Sequence, residues 1–125
     1  MSEKFNESIE NWQRMIDAIR LPVFVVNPHS KPLLVNSSLL KMTGLPTIEA
    51  LGENAYQSLT PKSEKNHTDI DQEVLQSGQS VSISGVLLDD EKGFCQVKFE
   101  KSSLVDSNGR AVAVVNTVVD QTELT

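Results

Sequence analysis

The chain has 125 residues, 38% of them hydrophobic, a formal net charge of -6 and a pI near 4.8. That is enough for one core, too short for a second domain, and a charge balance that opposes the phosphate backbone of nucleic acids. A single cysteine, Cys95, excludes an internal disulfide framework. No CxxC or Cys/His spacing suited to structural zinc occurs. No apolar run approaches the roughly 20 residues that span a bilayer, and MSEKFNESIENWQ is too polar for a secretory signal, so a cytoplasmic domain free of membrane and nucleic acid is expected.

Residues 5 to about 20 place Phe5, Ile9, Trp12, Ile16 and Ile19 three or four apart with polar residues between, which predicts an amphipathic helix. Leu21-Pro22 ends it, because proline lacks a donor and disfavours the helical conformation in its predecessor. Val23-Phe24-Val25-Val26-Asn27, β-branched and aromatic, predicts the first strand. The turn-rich Pro28-His29-Ser30-Lys31-Pro32 and the extended Leu33-Leu34-Val35-Asn36 supply a second strand antiparallel to it. Asn36 or Ser37 is suited to cap a short helix, Ser38 to Met42, closed by Thr43-Gly44, and Thr47 to Gly52 repeats the pattern. A longer helix starts at Ser63 or Asn66 and runs through Gln76, with Ile70, Val74 and Leu75 on one side and Gly78 as its stop. Three strands follow, Ser80 to Leu88, Phe94 to Ser103 and Arg110 to Val119. They are divided by Asp89-Asp90-Glu91-Lys92-Gly93 and Asp106-Ser107-Asn108-Gly109. This order lacks βα alternation and predicts an α+β fold on a five-stranded antiparallel sheet.

Both parities of the first strand are apolar, as are most of Ala111 to Val119, so that part of the sheet needs cover on two faces. The N-terminal helix carries the spare apolar stripe. Trp12, Ile16 and Ile19 are therefore expected on the outer face or across a dimer contact, with the middle helices on the inner face. Phe94 to Phe99 instead alternates with Gln96 and Lys98, as a strand with one wet face does.

In the order and size of its elements the chain resembles the PAS family from about Pro22 to Thr122. The matching segments are Pro22 to Asn27, Leu33-Leu34-Val35-Asn36, Met42-Thr43-Gly44, Glu73-Val74-Leu75-Gln76-Ser77-Gly78 and Asp106-Ser107-Asn108-Gly109. The closing Val119-Asp120-Gln121-Thr122-Glu123 is similar to the family's Asp-Ile-Thr signature, with Gln121 as the departure. The resemblance implies residues 1–20 as a packing or dimer helix, 21–122 as the PAS domain and 123–125 as the start of an output linker. It implies a ligand cavity between the sheet and the short helices, where Val114, Asn116 and Val118 face Phe24, Val26, Val97 and Phe99. It also implies a homodimer, and an effector in the same chain (histidine kinase, diguanylate cyclase or transcription regulator) reached through Asp120 and Thr122.

Asn116 is the polar member of that wall. Unpaired, it costs about 1–3 kcal/mol, so it bonds either a ligand or a neighbouring side chain, backbone group or buried water. Cys95 lies on a strand, unlike the photoreactive cysteine of the flavin-binding LOV members, and the stretch matching theirs reads Glu53-Asn54-Ala55-Tyr56-Gln57-Ser58-Leu59, which argues against that photocycle. His67 stands eleven positions before Gly78, the offset of the haem-ligating histidine of oxygen-sensing relatives. The arginine that answers to oxygen in them has no counterpart in Gly85-Val86-Leu87-Leu88. His29 and Asp89-Asp90-Glu91 read as solvated surface rather than metal ligands. No GxSxG, GxxxxGK[ST] or HExxH occurs, so no enzyme is expected. The expected function is a non-catalytic sensory module that binds a small ligand or partner. The alternatives are a constitutive dimerisation scaffold with a side-chain-filled cavity, and a haem sensor through His67.

Overall fold

The computed structural model describes residues 2–120, with side chains from residue 10 onward apart from that of residue 64. Helix α1 (Ser2–Asp17) precedes β1 (Val23–Val26) and β2 (Pro32–Val35). The short helices α2 (Ser37–Thr43) and α3 (Ala55–Leu59) follow, with a 3-10 turn at Ile48–Leu51 between them and a second at Pro61–Ser63. Helix α4 (Glu64–Ser77) then leads to β3 (Val81–Asp89), β4 (Gly93–Val105) and β5 (Ala111–Asp120). The strands form one antiparallel sheet in the order β2-β1-β5-β4-β3, so the last strand lies at its centre beside the first. The expected α+β architecture is the observed one.

The core lies between the inner sheet face and the helices. Phe24, Val26, Val97, Phe99, Val114 and Val118 project from the strands to meet Leu39, Leu51, Ala55, Tyr56, Leu59 and Val74, all buried. The glycine stops behave as their sequence positions require. Gly44 and Gly78 close α2 and α4 in the left-handed conformation, each donating its N–H to the carbonyl four residues back. At Gly44 any Cβ would collide with the Asp90 carboxylate, and Asp90 N donates to Met42 O at 2.8 Å, so the β3–β4 hairpin rests against the end of α2.

Helix α1 stops at Asp17, earlier than the expected 20, and a side chain from the start of α2 holds its last turn and the chain beyond it. The Asn36 amide donates to Ile16 O (2.9 Å), Ile19 O (3.1 Å) and Leu21 O (2.8 Å). Its Oδ1 accepts from Val23 N (2.8 Å) and, as the N-cap of α2, from Leu39 N (3.0 Å). One buried side chain thus ties α1, β1 and α2 together. Ile19 falls beyond the helix and stays exposed. Trp12, Met15 and Ile16 border an apolar groove with Val25, Leu34, Leu104 and Val115 on the outer sheet face.

Asn36→Asp keeps the caps on Val23 and Leu39 but turns a carboxylate oxygen toward three carbonyls. The expected outcome is an α1 that undocks while the sheet stays folded. Hydrogen exchange should show lost protection at residues 11–17 but unchanged protection in β4 and β5. Uniform loss across the chain would show that Asn36 supports the whole fold rather than the docking of α1.

Candidate functional site

Four polar side chains meet inside the apolar core. Lys101, from β4, is fully buried and pairs in register with Asn116 on β5. Its Nζ lies 2.8 Å from Asp71 Oδ1, 2.8 Å from Asn116 Oδ1 and 2.9 Å from Tyr56 Oη. Three acceptors for one amine define an ammonium with all its protons used. Tyr56, from α3, donates its hydroxyl to Asp71 Oδ2 at 2.5 Å and accepts from Asn116 Nδ2 at 3.0 Å. Asp71, from α4, closes the ring of bonds and the charge balance through the buried ion pair with Lys101. Burial pushes the Tyr56 hydroxyl far above its usual range, and the Asp71 charge adds to this. Burial also lowers Lys101, with Asp71 opposing through charge and hydrogen bond.

His67 lies beside this tetrad on the same face of α4, one turn before Asp71. Its ring stacks on Tyr56 (centroids 4.6 Å apart, planes 10°) and meets Phe99 edge-on (4.5 Å, 73°). Phe24 completes an aromatic box, edge-on to Tyr56 at 5.9 Å and to Phe99 at 6.5 Å. His67 is 1% exposed, and its Nδ1 is the one buried side-chain nitrogen or oxygen among the described residues without a hydrogen-bond partner. Burial and then the Lys101 charge push its pKa down to about 3, so the imidazole is neutral at pH 7. Across from it on β3, a Cβ at Gly85 would stand 3.1 Å from Phe99 and 4.0 Å from His67 Nε2, so only glycine leaves that flank clear.

The wall residues expected from sequence, Phe24, Val26, Val97, Phe99, Val114, Asn116 and Val118, all face this core. Asn116 bonds to neighbouring side chains, Lys101 and Tyr56. Sequence reasoning missed Lys101, Asp71 and Tyr56. The signal for Lys101 was its parity with Cys95, Val97 and Phe99, and for Asp71 the spacing of His67, Asp71 and Val74, which puts them on one helix face. Asp120 ends β5, while Thr122 and 123–125 lie outside the described residues.

Haem does not fit at His67. Tyr56 covers one face of the imidazole, Phe99 blocks an edge, and packed side chains fill the volume a porphyrin needs. Cys95 stands partly exposed on β4, not on a middle helix. Among the described residues no three His, Cys, Asp or Glu side chains gather to hold a metal ion, and no helix is long and apolar enough to cross a membrane.

A family model described as "PAS fold" matches residues 16–125. A search of curated proteins returns no match. Among solved structures, the phage VqmA–DPO complex superposes with a TM-score of 0.76 at 16% identity, over 98% of this chain and 57% of that one. The Vibrio cholerae VqmA–ligand–DNA complex gives 0.74 at 17% identity, over 88% and 50%. The PAS domain of the Cronobacter turicensis quorum-sensing receptor RpfR, in complex with C12:0, gives 0.67 at 14%, over 82% and 94%. The chain thus spans about half the length of the VqmA chains it matches. The DNA complex overturns the expectation that nucleic acid can be excluded as a partner. The reasoning failed because a charge of -6 describes only the surface of these 125 residues, whereas a protein that carries such a domain has further surface to offer DNA.

Proposed function

The chain belongs to the PAS family, and from that premise we propose that it is a non-catalytic sensory module whose core takes up a small molecule at the cluster of Tyr56, His67, Asp71, Lys101 and Asn116. The observation that carries this reading is a cluster of polar side chains with one unpartnered nitrogen, placed inside an otherwise apolar core. Such a cluster costs desolvation energy that an apolar core avoids, so stability alone is a poor account of it. The VqmA and RpfR structures, which share the fold, are complexes with small molecules, and this supports a ligand-binding role.

Output is proposed to pass through β5, which contributes Asn116 to the site and ends at Asp120, toward an effector. The apolar groove beside Trp12 and Met15 is proposed as the seat of a homodimer contact. A cytoplasmic location accords with this role.

Native mass spectrometry of the protein purified from cells, with thermal shift against extracted metabolites, tests the reading. A retained small molecule that a folded Lys101→Met/Asp71→Leu variant no longer holds supports it. Repeated absence of any ligand favours a constitutive scaffold, a reading that the internal satisfaction of the tetrad supports on its own account.

A further inference from the structure

We propose that the His67 imidazole is a displaceable occupant of the sensing pocket, holding shut a slot that a flat, uncharged ring with a polar edge fills in the bound state. This rests on the ligand-sensing reading above and adds the class of ligand and the element that moves.

The shape of the slot argues for a ring. Its walls are Tyr56, parallel to the imidazole at 4.6 Å, and Phe99, edge-on at 4.5 Å, the two arrangements aromatic partners prefer. Gly85 keeps the strand-side flank free of any side chain. The charge of the site argues for a neutral guest. Lys101 and Asp71 cancel, and every ammonium proton already has an acceptor, so a charged ligand would bring an uncompensated charge into the core.

The present occupant is an imperfect fit, because Nδ1 has lost water and gained no partner. His67 also sits in the first turn of α4, directly after the Pro61–Ser63 turn. Expelling its ring therefore displaces the start of one helix rather than a strand. A groove of about 270 Å3 lined by Pro61, Lys62, Val86 and Phe94 opens at the same end of α4.

His67→Ala empties the slot while leaving the tetrad in place, and apolar-lined voids of this kind take up matching small molecules. Added imidazole, in neutral form at pH 8, is expected to raise the melting temperature of His67→Ala saturably, by roughly 5 °C at ten times its dissociation constant. Acetate and dodecanoate are expected to leave it unchanged. His67→Leu, with the slot filled, should ignore imidazole. If His67→Ala does not fold alone, refolding in imidazole should recover it.

A folded His67→Ala that ignores imidazole, a stronger response to the carboxylates, or an equal response in His67→Leu overturns the proposal, as does failure of imidazole to recover an unfolded variant. The wild-type protein separates the two readings. A molecule retained in native mass spectrometry alongside an indifferent His67→Ala rejects the ring slot but keeps ligand sensing, whereas an empty wild-type protein counts against ligand sensing itself.

Discussion

Lys101→Met is expected to lower the unfolding free energy by about 3–5 kcal/mol, among the largest losses any single replacement in this chain should cause. The methionine fills much the same volume, so the loss is electrostatic rather than steric. Asp71 is left buried with the Tyr56 hydroxyl but without its cation, and Asn116 Oδ1 loses its donor. Urea titration measures the loss, and a change below about 1 kcal/mol would mean that the pair is hydrated rather than buried. Combining Lys101→Met with Asp71→Leu should recover most of the stability, since apolar groups of similar volume replace buried pairs at little cost. That double variant separates folding from sensing. It should fold and melt cooperatively yet retain no ligand, whereas a purely structural pair would leave ligand retention untouched.

The fold was legible because its signals are local. Gly44 and Gly78 stop helices, Asn36 caps one, and the acidic and Asp-Ser-Asn-Gly turns separate three strands, each within a few residues of the element it bounds. The apolar wall was legible too, because strand parity fixes which side chains share a face. The polar heart of the site was not, although the same rule reaches it. Counting inward positions along β4 as Val97 and Phe99 leads next to Lys101, a charged residue with no evident place in an apolar wall. Its burial depends on Asp71, thirty residues away on another element, and on Tyr56, forty-five away. A buried cation is predictable only together with its counter-charge, and that pairing exists only in three dimensions. His67 shows the converse. An offset from Gly78 singled it out for the right location and the wrong partner, because sequence distance fixes its place on α4 but not the Tyr56 ring that stacks on it.

Under the proposed sensory role, the tetrad offers a route by which a ligand event in the core would reach the rest of the molecule. Each of its polar members comes from a different element: Tyr56 from α3, Asp71 from α4, Lys101 from β4 and Asn116 from β5. A guest that re-partnered any one of them would change the bonds of at least two others, and β5 pairs with both β1 and β4. A ligand shifts an equilibrium only through its different affinity for two states, and re-pairing this tetrad supplies such a difference.

Acid is expected to destabilise the protein through His67, in a window its surroundings define. Its pKa is about 3 in the folded chain and near 6.5 when exposed, so below pH 6.5 the unfolded state binds a proton that the native state refuses. Stability from this group is therefore complete above pH 6.5, falls as the pH drops, and is fully lost only below pH 3. At pH 5 the loss relative to pH 8 should be about 2 kcal/mol. Burial sets this sign, and the charged groups around the imidazole reinforce it. Lys101 opposes a second cation, and Asp71 cannot compensate because its two oxygens are committed to Lys101 and Tyr56. Urea unfolding of the wild type and of His67→Phe at pH 8, 6, 5 and 4 checks this. The carboxylates and His29 are common to both proteins, so the difference between the curves belongs to His67, and it should open steadily below pH 6.5. Parallel curves would mean that the imidazole takes up its proton in place, with access to water that a ring packed between Tyr56 and Phe99 does not have.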